Sequence, residues 1–423
     1  MRFPERLAPK ITPTNKRSSV TSSCRAWGMP IPIIAHLILL HLMLLCSAAA
    51  VAQAPILLQD RFEKGQFFLA ENGITVMCPN AAIGDTGVVR GVTYTKRSVD
   101  EIRNSPEDAE TSCTSGIESM TLLFYKQKDF NADISSWDTS SVIDMNFMFS
   151  GASSFNRDIG AWDTGSVTTM QLMFHRALAF DQDIGKWDMR NVTDTSGMFA
   201  ETGAFNQNIG EWNTSAVTDM GFMFQEAKAF NQDLSDWNTS SVTNMGGMFR
   251  ETEAFNSDIG GWDTSSVTLM NDMFQDAAVF NQDISEWDTS SVTDMRFMFK
   301  GASSFNKDIG RWNTGAVTDM SWMFRMAGAF NQDIGKWNTA SVTRMDFMFN
   351  EALSFNQGID KWDTRAVTAT DGGMNSMFKS ARLFNQDLSG WCVSQFSSQP
   401  VDFDADTPKW VLQKPNWGDP CPP

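Results

Sequence analysis

The feature that most limits what this chain can become is a period of 25 residues. Trp137, Trp162, Trp187, Trp212, Trp237, Trp262, Trp287, Trp312, Trp337 and Trp362 follow one another at that interval, and Trp391 comes 29 after the last. The extra four residues lie near ATDGGMN, 369–375. The string FNQDISEWDTSSVTDMRFMF at 280–299 returns nearly unchanged from Phe205, Phe230, Phe255, Phe305, Phe330 and Phe355. A length of 423 residues would otherwise suggest two or three domains. A repeat this short cannot bury its apolar side alone, so the units must stack into one continuous body.

From Phe280 the apolar ladder runs Phe280, Ile284, Trp287, Val292, Met295, Met298, Phe299, Ala302, then Phe305. No single period fits it. From Met295 onward the spacing of three and four predicts a short helix. DISEW and SVTDM, rich in Ser, Thr and β-branched residues, predict extended pieces joined by a turn. Phe, Trp and Met recur because each coil fills the same slot of a shared core, and the letters between them drift where they face water. Asn follows the first Phe in every coil but one, where Asp181 stands, and such a column of amides predicts hydrogen bonds up and down the stack. The fold class expected is an α/β repeat solenoid of about eleven 25-residue coils, each with short strands and a short helix, capped at both ends.

The phrase FNQDI–W(D/N)TSSVTDM–MF–A resembles the 25-residue repeat of the BspA-like leucine-rich-repeat surface proteins, a repeat also known as a domain of unknown function in Mycoplasma lipoproteins and marine microbes. The resemblance covers about 117–391. It implies a right-handed leucine-rich-repeat-like solenoid, secreted or on a cell surface, and carries over no catalytic residue. Thr195 (for Met), Met189 (for Thr) and Gly358 (for Asp) break the pattern, so looser packing is expected there.

The ends differ from the middle. Residues 1–52 read as a signal peptide: a basic n-region, the apolar run IPIIAHLILLHLMLLCSAAAVAQA, and an A-x-A site at Ala50-Val51-Ala52. An uncleaved signal-anchor is the competing reading, and the one route to a membrane. Residues 53–116 read as an N-terminal cap, with strands in ITVMC (74–78) and GVVRGVTYT (87–95) and capping-box spacing in SVDE (98–101). Residues 117–391 are the array, which opens with a half coil, and 392–423 are the C-terminal cap. Cys78 and Cys113 flank the start of the array, and Cys392 and Cys421 its end. In an oxidising compartment they pair in that order, since the other two pairings must span the array.

The formal charge is −17, and residues 1–52 hold six basic residues against one acid, leaving −22 for the rest. Such a body repels nucleic acid and anionic membranes. Beyond the leader, histidine occurs only as His175, at a variable and therefore surface position. No nucleophile elbow, phosphate loop or histidine–cysteine metal motif is present, so no catalytic, cofactor or metal residue is assigned. The methionines read as core filler rather than copper ligands. An acid ahead of Ile recurs at Asp133, Asp158, Asp183, Asp233, Asp258, Asp283, Asp308, Asp333 and Asp387. It reads as a turn acceptor, with a weak calcium column as the functional alternative. Asn191, Asn213 and Asn238 head glycosylation sequons.

Phe297, Trp322 and Phe347 occupy one repeat position in three successive coils. That column also accepts Gly197, Gly247 and Asp272, so it is not a core slot. A row of surface aromatics there reads as a binding patch, or else as a cover over the coil edges. Together these features suggest a non-enzymatic, monomeric surface or secreted protein that binds a protein or glycan of a cell surface or matrix. The alternatives are a self-associating or calcium-organised element of a cell covering and, remotely, a carbohydrate-active enzyme.

Overall fold

Each repeat pairs with the next through parallel bridges 25 residues apart in a computed structural model that describes residues 66–421. The bridges run Ser119–Asp144, Asp144–Thr169 and onward to Asp319–Arg344. The expected leader, residues 1–52, lies outside the described residues. The apolar ladder is buried in every coil and merges into one core running from Ile102 to Trp410.

The rings in that core stack in columns. Trp312 lies 6.5 Å from Trp337 at 2°, and Phe299 lies 5.7 Å from Phe324 at 5°. Each of the eleven tryptophans donates its indole N–H, at 2.9–3.1 Å, to a carbonyl one coil back, as Trp287 does to Ile259. A Trp is therefore demanded here rather than a Phe, because the slot holds a buried acceptor as well as a large void. The Thr two residues on is also buried and bonds forward, Thr289 Oγ1 to the Asn313 carbonyl at 2.9 Å. Met189, which replaces that Thr, is buried as the Thr is, its carbonyl still accepts the Val192 N–H at 3.0 Å and Trp212 still donates to Ile184 at 3.0 Å, so that coil keeps the burial and the bonds of its neighbours rather than the looser packing expected.

The short helix expected from Met295 is not there. Residues 296–301 form linked turns instead. Met298, Lys300 and Ala302 donate to carbonyls three residues back, while Met295, Phe297, Phe299 and Gly301 donate to Asp319, Ser321, Met323 and Arg325 of the next coil. Two residues per coil sit at positive φ, here Phe297 (59°) and Gly301 (68°), and equivalent positions do so along the array. A left-handed residue every fourth position breaks the helix and aims alternate N–H groups along the stack. Linked turns and a helix both bring residues at spacings of three and four to one side, which is why the sequence pattern misleads. The strands expected in DISEW and SVTDM shrink to a single bridge residue per coil.

The Asn column works differently from a chain of amides. Its side-chain oxygen accepts the backbone N–H of the next column residue, at 2.7–3.0 Å throughout. Only the acceptor is needed, so Asp181 serves as well, taking the N–H of Asn206 at 3.0 Å. One water-facing column does not drift: Thr168, Thr193, Thr218, Thr243, Thr268, Thr293, Thr318, Thr343 and Thr368. Each gives both its N–H and its hydroxyl to the carbonyl one coil back, so here Thr is fixed by the ladder and not by the core.

The N-terminal cap carries β1 (Phe68–Leu69) antiparallel to β2 (Val76–Met77). A hairpin of β3 (Thr86–Val89) and β4 (Val92–Lys96) follows, so GVVRGVTYT is two strands rather than one. Helix α1 (Val99–Asn104) starts on Ser98 with the expected capping box, and β5 (Ser112–Cys113) runs parallel to β4. A disulfide joins Cys78 to Cys113 inside a small separate core with Val76 and Val89. Met120, Leu122, Phe124 and Lys126 then donate to the second coil, so the array does open with a half coil.

At the other end the four-residue insertion is absorbed by a 3-10 turn at Thr370–Gly372, and Met345 donates to Gly373 instead of a residue 24 on. Cys392 and Cys421 are bonded. The segment between them is itself a degenerate coil. Ser376, Phe378 and Ser380 donate to Val401, Phe403 and Ala405. Its rings turn edge-on, Phe403 at 77° and Trp410 at 70° to Phe378, where array rings lie nearly parallel. An edge-on ring offers no flat face to a further coil, and this closes the stack.

Candidate functional site

Two places on the surface combine shape with chemistry. The first is the column of Phe297, Trp322 and Phe347. Their rings stack at 5.4 and 4.2 Å, and all three are half-buried. Arg325 lies over Trp322 at 4.8 Å from the ring centroid, and Trp322 donates its indole N–H to Asp346 at 3.2 Å. Burial raises the Asp346 carboxyl, with the Arg344 guanidinium opposing it. The structure thus brings the three residues together as one ridge.

The reason this column accepts Gly is its backbone. Every described member has positive φ, from Leu172 at 52° to Trp322 at 64°. At Gly247 a Cβ would stand 2.3 Å from the Phe222 ring, which leans over it. A left-handed non-Gly residue costs roughly 1–2 kcal/mol. Phe and Trp are therefore kept on the ridge against a backbone preference for Gly, and their side chains must return that energy.

The second place is a depression of about 710 Å³ over the first three coils. Its floor is Ser150 and Gly151, whose columns hold Tyr125–Lys126 one coil earlier and His175–Arg176 one coil later. Small side chains between large ones leave a gap in an otherwise filled row. His175 is not a free surface residue. Its Nδ1 is 3.2 Å from Ser150 Oγ, and its Nε2 is 3.2 Å from Glu201 Oε1. Arg176 donates to the other oxygen of Glu201 at 2.6 Å. Partial burial would raise the Glu201 carboxyl, but the bonds from Arg176 and His175 outweigh it and hold the group below the usual carboxylate range.

These are the distances of a serine–histidine–carboxylate relay. The surroundings are not those of one. Ser150 is 2 % exposed. The amides beside its hydroxyl are committed to the coil ladder, Lys126 to the Ser150 carbonyl and Gly151 to the His175 carbonyl, so they are not aimed at a developing oxyanion. The arrangement works as a brace that fixes His175 and Glu201. Sequence reading missed it because its members lie 25 and 26 residues apart. The available signal was that Tyr125, Ser150 and His175 share one repeat position.

The other sequence candidates are accounted for singly. The recurring acids accept the backbone N–H two residues on, as Asp283 does from Ser285 at 3.0 Å. That bond, with the Ser285 hydroxyl, lowers the Asp283 carboxyl. Asn208 fills the same turn at 3.0 Å, so charge is dispensable there. No cluster of three or more metal-ligating side chains occurs among the described residues. Asn191, Asn213 and Asn238 are exposed, and Asn191 already donates its amide to Gly165 at 2.7 Å. The paired methionines, Met295 and Met298 among them, are buried.

The family model described as "Mycoplasma protein of unknown function, DUF285" matches residues 94–210, 179–263 and 303–409, well over half of the chain. The chain belongs to the DUF285 family. No curated protein matches it, and no solved structure does. The DUF285 matches begin inside β4 and end in the degenerate last coil; they take in the depression and Trp322 and Phe347 of the ridge, while Phe297 falls in the unmatched stretch 264–302. Among the described residues no helix is long and apolar enough to cross a membrane.

Proposed function

We propose that this DUF285 protein is a non-enzymatic binding protein, secreted or held at a cell surface, and that it engages a protein or glycan partner as a monomer through the ridge of Phe297, Trp322 and Phe347. We also infer the finer kinship, a BspA-like, right-handed leucine-rich-repeat-type solenoid. The 25-residue parallel bridging and the continuous ring columns support that reading. Two disulfides at the ends of the array fit an oxidising, extracytoplasmic compartment.

The observation that carries the binding reading is the retention of three large aromatics on left-handed backbone in consecutive coils. Strained positions persist where structure or function over-determines them. Half-exposed, stacked aromatics backed by an Arg are the residue types that anchor interfaces. The test is to replace all three by Gly, which the backbone prefers, and to measure binding to cells or matrix together with the melting temperature. Binding should vanish with the melting temperature within a few degrees of wild type. A collapse in stability, or binding that persists, makes the ridge a cover over the coil edges.

The second reading is a self-associating or calcium-organised element of a cell covering, supported by the column of aspartates in successive coils. Light scattering with calcium and with chelator separates it, since only that reading has the particle grow with calcium.

A further inference from the structure

We propose that the depression over the first three coils is a second binding site, independent of the ridge, and that it takes an acidic saccharide carrying a carboxylate or sulfate. The gap left by Ser150 and Gly151 is the size of a small-ligand site. In a chain of net charge −17 its rim is cationic. Lys126 and Lys128 line it, and neither forms an ion pair among the described residues. Opposite them stands a fixed polar wall, Glu201 clamped by Arg176 and by His175. Because those groups are held before any ligand arrives, little ordering is left to oppose binding.

Each part of an acidic sugar has a counterpart here. The anionic group meets Lys126 and Lys128, which outweigh the already paired Glu201. Ring hydroxyls can donate to the Glu201 carboxylate and exchange bonds with Ser153. The apolar face of the ring meets Tyr125, 39 % exposed, and Leu178, 54 % exposed. An extended acidic peptide fits less well. Strand addition needs free backbone groups, and the amides of Leu122, Phe124, Lys126 and Gly151 are already bonded to the next coil. A nucleic acid fits less well again, since the acidic body repels a polyanion.

The test is calorimetry on the secreted chain with five probes: an oligogalacturonate, a sulfated galactan oligosaccharide, a neutral galactan of equal length, sodium sulfate and an oligoglutamate peptide. At least one acidic oligosaccharide should bind, and the two acidic arms identify which anion is preferred. Neutral galactan should not bind. Lys126→Gln with Lys128→Gln should weaken binding about tenfold or more, the scale of one charge-assisted contact. Tyr125→Ala should weaken it further than it weakens any sulfate binding. The ridge variant should bind as wild type, which keeps the two sites distinguishable. The proposal is overturned if neither acidic saccharide binds, if neutral galactan, plain sulfate or oligoglutamate binds as tightly, or if the lysine double variant, shown to be folded by its melting curve, binds as wild type.

Discussion

The array and the N-terminal cap solve the same problem in opposite ways. In the array, the recurring buried side chains find partners one coil away: Trp to a carbonyl behind, Thr to a carbonyl ahead, rings upon rings. The described coils between Cys113 and Cys392 contain no cysteine and so need no cross-link. The cap has a separate core of Val76, Cys78, Val89 and Cys113, with a disulfide as half of it. A core that small cannot offset the chain entropy it must order, and a covalent closure makes up the difference. Repetition thus replaces cross-links wherever a neighbour is present, and covalent bonds appear only where neighbours run out.

The sharpest way to break the array side is Trp287→Ala, which removes a buried ring and one of the two hydrogen bonds that the Ile259 carbonyl accepts, leaving that from Trp262 N–H. We expect a loss of about 3–5 kcal/mol in chemical unfolding. Trp287→Phe should still lose part of it through the missing N–H. A variant near wild type would mean that the indole bond carries nothing. On the cap side, replacing Cys78 and Cys113 by Ala should cost about 2–4 kcal/mol. Hydrogen exchange should then rise in β1–β5 and leave the coils around Trp287 unchanged. Exchange rising evenly along the chain would show the two regions to be one cooperative unit.

Smaller effects refine the comparison. Thr289→Val removes the hydroxyl that bonds the Asn313 carbonyl and should cost about 1 kcal/mol, whereas Asn281→Asp should be close to neutral, because its column needs only an acceptor. Acid should weaken the array through its turns. Asp233, Asp283 and Asp387 are held low by bonds to the backbone N–H and hydroxyl of the Ser two residues on. Their contribution is present above the ordinary carboxylate range and is lost as pH falls through it, near about 4 and below. Asp294 and Asp346, raised by burial, run the other way and lose their contribution as pH rises through their raised values. Asp263 and Asp288 are lowered in the same way by Ser265 and Ser290, so these carboxylates outnumber the raised pair and the melting temperature should fall on acidification below pH ~4.

Much of this was legible in the sequence because repetition averages out noise. The columns of Phe, Trp, Val and Met, the half coil at Ile117, the capping box at Ser98 and the pairing of Cys78 with Cys113 follow from spacing alone. The helix expected at Met295 failed for a physical reason. Spacing of three and four reports which side chains share a face, and linked turns with a left-handed residue at Phe297 and Gly301 satisfy it equally. The last coil was hidden because its ring identities change, although Phe403 still stands 25 residues after Phe378. The ridge could be read from one column. The Ser150–His175–Glu201 brace could not, since it exists only after coils are laid side by side.

The central claim is that each coil is a run of turns bonded to its neighbour. The most direct measurement is residue-resolved hydrogen exchange on the native chain, read at Met295, Phe297, Phe299 and Gly301, which donate to the next coil. The account predicts strong protection at these four amides and at their equivalents in every interior coil. It also predicts that destabilising the following coil, by Trp312→Ala, lowers protection at these four in the coil before it. Protection that ignores the neighbouring coil, as in a run of self-contained helices, would contradict it.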